Sequence, residues 1–272
     1  MKVHVVMRPL AEDSGSALER VSGFAQRVEA HGFDGVWVND TFGRGYPTLD
    51  PIVMLTVAAA VTRDIEIGTC VLQIPVRHPV ELAHRIEGLH ALAGSRLQLG
   101  VGAGSRQAEF DLVGADFAGR FAAAVSALDT MRQAWRGQPL PGGYFAPWPG
   151  TEGGPAVLFG AWRNRDRITY AAERCDGWLA SAIHPAPDEL EAGVRHFRDA
   201  GGKRAVLSNV IVDVNRTGDA VFLGGGASVM LTDGEAAARR TLRWIQDAGF
   251  DDVLCLVRPD SLDELARLRD CL

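Results

Sequence analysis

Hydrophobic positions along this chain alternate between two kinds of pattern. Near-continuous apolar runs at 3–7, 35–38, 65–72, 97–101, 156–159, 177–180, 205–214 and 252–257 predict strands buried on both faces, the mark of a parallel sheet covered by helices. Between them, apolar residues recur at helical spacing, as in Leu18, Val21, Phe24, Ala25 and Val28, where Ser14 or Ser16 can cap the start and His31-Gly32 closes the end. Asp50-Pro51 opens a second helix that runs to about residue 61. Further helices are expected at 80–93, 121–136, 166–174, 188–199, 235–248 and 262–269, with a short turn of its own at 107–112. The glycine- and proline-rich stretch from 137 to 155 reads as an irregular excursion within the domain. Eight strands alternating with eight helices, joined by right-handed crossovers, favour a closed α/β (β/α)8 TIM barrel over an open sheet.

Composition narrows the setting. A chain of 272 residues, 47% of them hydrophobic, suits one barrel domain spanning 1–272. A net charge of −6 with no dominant basic cluster argues against a nucleic-acid partner. The longest apolar run, 51–61, is too short to cross a bilayer core of about 30 Å, and Met1 leads directly into a strand with no room for a signal peptide. A cytoplasmic protein without a membrane partner is therefore expected. Cys70, Cys175, Cys255 and Cys271 lack metal or disulfide spacing, and His84 and His90 do not share a helix face, so no metal site is expected.

The candidate chemistry gathers at the C-terminal ends of the strands, where barrels bind ligands. Strand two ends in Asn39-Asp40-Thr41, and strand three runs into a turn holding Gln73, His78 and two prolines. Strand four ends in Gly100-Val-Gly-Ala-Gly104, in which the third glycine comes one residue early for a dinucleotide fingerprint and no initial βαβ unit surrounds it. Gly160-Ala161 and the helix that follows offer free amides and a positive dipole end to a phosphate. Gly224-Gly225-Gly226, after strand seven, is a rival phosphate turn or a flexible lid.

The blocks GFDGVWVND (32–40), IGTCVLQIPVRHP (67–79), LAGSRLQLGVGAG (92–104), EFDLVG (109–114) with Arg120-Phe121, and CDGWL (175–179) together resemble the bacterial luciferase-like flavin- and F420-dependent oxidoreductases. The resemblance covers the first two-thirds of the chain; the final third matches as generic barrel. It implies an enzyme that binds reduced FMN, or the deazaflavin F420 as the alternative, and performs monooxygenation or hydride transfer on a small organic substrate. It implies a non-proline cis peptide at Cys70-Val71 that supports the ring. Gly102, Ala103, Gly104 and Ser105 would approach the cofactor by their backbone, and Arg120, Gly160, Ala161 and Trp162 would meet or cover its phosphate. Ala161 stands where the family usually has a second glycine. Thr41 stands where members often carry a histidine, which leaves Asp40 and His78 as the expected catalytic groups, each with a structural alternative as a loop anchor. Met7, Thr41 and Gln73 are expected to line the substrate side. A flavin reductase as electron source and a homodimer are implied as partners. A non-catalytic flavin-binding barrel is the rival reading. A Schiff-base lyase is disfavoured, because Lys203 precedes strand seven and so sits at the wrong end of the barrel.

Overall fold

The computed structural model describes residues 1–8, 16–215, 221–222, 225–226, 228–257 and 261–270. Ser14, Gly224 and Cys271, named above, lie outside them. Parallel pairing runs β12 (Asp252–Leu256), β1 (Lys2–Met7), β2 (Gly35–Val38), β3 (Glu66–Thr69), β5 (Leu97–Gly102), β6 (Ala156–Gly160), β7 (Gly177–Ser181) and β8 (Ala205–Val212), and β8 then pairs with β12. The sheet is thus a closed eight-stranded α/β barrel. Every residue of β2, β5, β7 and β12 is buried, because helices cover the outer face and side chains fill the inner one.

The helices start where the local chemistry says they should. Ser16 and Glu19 form a reciprocal capping box at the head of α1 (Ala17–Ala30). Asp50 accepts from the Ile52 and Val53 amides to begin α2 (Pro51–Val61), with proline at its first position. His78 and Pro79 open α3 (Pro79–Ala93) in the same way, but without a side-chain cap bond. The 107–112 turn is a full helix, α4 (Gln107–Val113), stopped by Gly114 in the left-handed region at φ 68°. After it come α5 (Arg120–Trp135), α6 (Arg165–Arg174), α7 (Pro187–Asp199), α8 (Glu235–Asp247) and α9 (Leu262–Arg269). The irregular excursion is anchored, since the Trp148 amide donates to Glu87 on α3 at 2.9 Å.

One strand departs from the sequence pattern. The run 65–72 is not continuous: β3 stops at Thr69, the Cys70–Val71 peptide is cis, and the short β4 (Leu72–Gln73) resumes pairing with Val101 and Gly102 of β5. Hydropathy carries no trace of this break, since the residues are buried on both sides of it.

Inside the barrel, Val6, Trp37, Cys70, Leu158, Leu179, Val206, Leu254 and Leu256 form a separate inner core. Gly68 makes room for the indole, because a Cβ there would lie 2.5 Å from Trp37 Cε3. Polar groups close the N-terminal end. His4 Nε2 meets Asp252 Oδ1 at 2.9 Å, and Arg204 reaches Asp252 at 2.8 Å, Glu66 at 2.7 Å and Gln98 at 2.9 Å. Burial works against the charged form of Asp252, yet the hydrogen bonds from His4 and Arg204 hold its carboxyl down at about 2.

Candidate active site at the C-terminal mouth

The mouth is shaped first by what glycine permits. Val71, just past the break in strand three, turns its side chain toward β5 and β6. A Cβ on Gly102 would sit 2.5 Å from Val71 Cγ2, and one on Gly160 would sit 3.0 Å from its Cγ1. Thr69 donates its hydroxyl to Gly100 O at 2.7 Å, and Cys70 Sγ lies 3.2 Å from Asn39 Oδ1. Burial pushes the Cys70 thiol well up, so it stays protonated and serves packing. The structure therefore brings Cys70, Val71, Gly102 and Gly160 to one place, with Ala103 and Ala161 buried beside them.

Asp40 is almost wholly buried, and both its oxygens are engaged. Arg77 Nη1 donates to Oδ2 at 2.6 Å, Arg77 Nη2 to Oδ1 at 2.9 Å, and the Gln73 amide to Oδ2 at 2.9 Å. Burial disfavours the charge on Arg77, but the Asp40 carboxylate outweighs it and shifts the guanidinium upward. Gln73 Nε2 donates to Asp40 O at 3.0 Å, which fixes the orientation of the amide and leaves Oε1 buried without a partner among the described residues. That Oε1 faces Gly104, whose φ is +78° and where a Cβ would approach it to 2.5 Å. The anchor of this turn is Arg77. The ring of His78 is exposed and makes no hydrogen bond among the described residues. Met7 is buried beside Val38 at the end of β1, and Thr41 is half-buried one residue past Asp40.

The turn after β5 carries charge. Arg120 Nε donates to Gly104 O at 3.2 Å and Nη1 to Phe117 O at 2.8 Å, while its guanidinium lies 3.9 Å from the Phe117 ring centroid and 4.8 Å from that of Phe121. Arg167, in the first turn of α6, sits 3.0 Å over the same Phe121 ring. Burial and the charge of Arg120 both push Arg167 downward. Neither guanidinium bonds to a carboxylate among the described residues. Two mutually repelling cations thus meet at the Phe121 ring, next to the Gly104 turn and the Asn164-capped start of α6. Ser105 and the side chain of Arg106 stand exposed at the same turn.

Two features were not legible in the sequence. Trp162, exposed after β6, meets His184 after β7 with ring centroids 4.7 Å apart. In β8, the register against β12 shifts at Ser208 and Asn209, and Asn209 adopts φ +62°, donating to Ser181 Oγ at 3.3 Å. Arg167 was also missed, because one arginine among many on a helix gives no sign of the ring it covers. β9 (Val221–Phe222) and β10 (Gly225–Gly226) pair in a small antiparallel ladder of their own, and β11 (Met230–Leu231) adds a short parallel pairing to β8. A surface hollow bordered by Lys2, Asp34, Glu66 and Arg96 opens at the opposite end of the barrel; there Lys2 pairs with Glu66, Asp34 accepts from the Val3 amide, and Arg96 donates to Thr62 Oγ1 and Ala59 O.

Comparison with known proteins agrees with the fold. The model of a family described as luciferase-like monooxygenase matches residues 1–270. A 4-hydroxyprotoasukamycin monooxygenase of Streptomyces nodosus subsp. asukaensis is 33% identical over 132 residues, covering 48% of this chain and 36% of that protein. A 5,10-methylenetetrahydromethanopterin reductase of Methanolobus tindarius is 29% identical over 201 residues, 72% of this chain and 59% of the relative. The matched part of the chain thus spans about a third of one relative's length and under two thirds of the other's. The crystal structure of the monooxygenase RslO1 from Streptomyces bottropensis superposes with a TM-score of 0.78 at 18% identity, covering 98% of this chain and 97% of that one. Among the described residues, no helix is long and apolar enough to cross a membrane, and no cluster of metal-ligating side chains is found.

Proposed function

The chain belongs to the luciferase-like monooxygenase family, and from that premise we propose that it is a flavin-dependent oxidoreductase whose C-terminal mouth holds reduced FMN for monooxygenation of a small organic substrate. The observation that carries this reading is the pair Arg120 and Arg167. Two partly buried guanidiniums on one aromatic ring repel each other, and a phosphate dianion beside them would relieve that repulsion through charge-assisted hydrogen bonds. Gly104 and the start of α6 would add backbone amides to the same cradle.

The residues present fit such a group. Val71, backed by Gly102 and Gly160, would support the ring, and Cys70, Ala103, Ser105 and Ala161 would bound it. Bound FMN would supply the redox step, while the protein orients the substrate and keeps water out. We assign Asp40 to positioning, because both its oxygens are spent on Arg77 and Gln73. His78, whose ring is unengaged, is the group proposed to move a proton on the substrate side, with Met7, Thr41 and Gln73 lining that side. A separate flavin reductase would deliver the reduced cofactor. A second reading, two-electron reduction with F420 in place of oxygenation, is favoured by the reductase relative that matches 72% of this chain.

The test is equilibrium binding of oxidised and reduced FMN and of F420, followed by fluorescence, and then oxygen uptake by the loaded protein with an electron donor. Saturable FMN binding with oxygen uptake supports the first reading, and F420 binding without it the second. A protein that binds neither is not a flavoenzyme. Binding without turnover would leave a flavin-binding barrel.

A further inference from the structure

The turns after β6 and β7 present a feature apart from the phosphate cradle: Trp162, which the resemblance would set over the phosphate, meets His184 instead, and the contacts among Arg120, Phe121 and Arg167 do not include it. Trp162 is 46% exposed, and its plane is inclined 42° to that of His184. Single exposed apolar side chains are ordinary, but the backbone on each side of this one is fixed. Ala161, directly before it, donates its N–H to Leu179 O at 3.2 Å and accepts from Trp178 Nε1 at 2.7 Å. Arg163, directly after it, reaches Glu189 Oε1 at 3.2 Å, and the other oxygen of Glu189 accepts the Ala186 N–H at 2.9 Å. The two turns are therefore tied to each other.

His184 is held just as firmly. The Ile183 amide donates to Ser181 Oγ at 3.2 Å, and Ala182 O accepts from both the amide and the hydroxyl of Ser228 at 2.8 Å. His184 itself has φ +81°, a region that residues with a Cβ seldom adopt and that clusters at functional sites. A disfavoured backbone and a pinned, exposed indole meet at one point of the mouth. Planes inclined at 42° are neither offset-stacked nor edge-on, and nearly half of the Trp162 surface stays exposed beside the imidazole, room for another ring.

We propose that Trp162 and His184 form a stacking wall of the substrate site, and that the substrate carries a planar, π-rich ring system. This rests on the flavoenzyme reading. The cofactor's phosphate is assigned to the Arg120–Phe121–Arg167 sector and its ring to Val71, which leaves the wall between β6 and β7 for the second ligand. A saturated substrate would gain only buried area there; a flat one also gains the quadrupole interaction with the indole face.

The experiment is calorimetric titration with 2-naphthol and its saturated counterpart decahydro-2-naphthol, on FMN-loaded and on cofactor-free protein. The wild type is expected to bind 2-naphthol about tenfold more tightly than decahydro-2-naphthol, a difference typical of one aromatic stack. Trp162→Leu should erase that preference, Trp162→Phe should keep most of it, and FMN affinity should stay within about twofold in both. Three results would overturn the proposal: no aromatic preference in the wild type, a preference that survives Trp162→Leu, or a loss of FMN affinity in Trp162→Leu, which would assign the indole to the cofactor. A wild type that binds no FMN strikes the flavin reading instead, and the cofactor-free titration still decides the wall.

Discussion

Gly102 has no room for a side chain, since the space its Cβ would take belongs to Val71. Gly102→Ala is therefore expected to destabilise the fold by about 1–3 kcal/mol through overpacking, and Val71→Ala in the same chain should recover part of that loss. Urea unfolding of the two single variants and the double variant checks this. Additive effects would mean that the two side chains do not share the space. At Asp40 the expected loss is larger. Arg77→Met strands a buried carboxylate and should cost about 3–5 kcal/mol, whereas Asp40→Asn with Arg77→Met should cost less than Arg77→Met alone. The sequence pointed to Asp40 but not to its partner, because arginine at 77 sits in a proline-rich turn that says nothing about which loop it will face.

At the scale of elements, the helices were the most legible part of the chain. Their caps are local chemistry: Ser16 with Glu19, Asp50 with Pro51, and Gly114 in the left-handed region each act within four residues. Ser16→Ala should cost about 1 kcal/mol, read as a lower urea midpoint with an unchanged slope; a change in slope would mean that the cap alters more than the first turn of α1. The strands were legible in number and order, since parallel strands buried on both faces write continuous apolar runs. The interruptions that build the mouth were not legible from the pattern itself. The break after Thr69 had to be expected from family resemblance, and the bulge at Ser208-Asn209 in β8 was not foreseen. Both are changes of backbone direction inside otherwise apolar strands: the polar pair Ser208-Asn209 is the one local mark of the second, and a polar pair in a strand does not by itself announce a bulge. The tilted Trp162–His184 pair after β6 and β7 and the approach of Arg167 on α6 to the Phe121 ring on α5 are contacts between elements distant in sequence. No single-sequence pattern encodes them.

In the whole molecule, the groups proposed for chemistry gather at one end of the barrel axis, while the other end is closed by polar pairs. At the N-terminal end, Arg204, Asp252, His4, Glu66 and Gln98 form a closed polar plug, and burial pushes Cys255 up to about 12 in the same apolar strand. Asp252 is held near 2, below the ordinary 3.8, so its contribution is complete above about pH 4 and is lost as pH falls toward 2. That contribution is about 2 kcal/mol. Stability measured between pH 6 and pH 2 should fall in that window, and Asp252→Asn should flatten the fall; an unchanged profile would show that other carboxylates govern acid unfolding. None of these changes should touch ligand affinity. At the C-terminal end packing and ion pairs also hold the fold, but there a change at the phosphate cradle should alter ligand affinity. The direct measurement is a titration of wild type and of the Arg120→Ala/Arg167→Ala double variant with FMN and with riboflavin, which differ only by the phosphate. The wild type is expected to bind FMN at least about a hundredfold more tightly than riboflavin, as two charge-assisted contacts allow, and the double variant to lose most of that preference, keeping only what the backbone amides supply, with riboflavin affinity unchanged. Equal wild-type affinities, or a preference for FMN that the double substitution leaves undiminished, would contradict the assignment of the phosphate to Arg120 and Arg167.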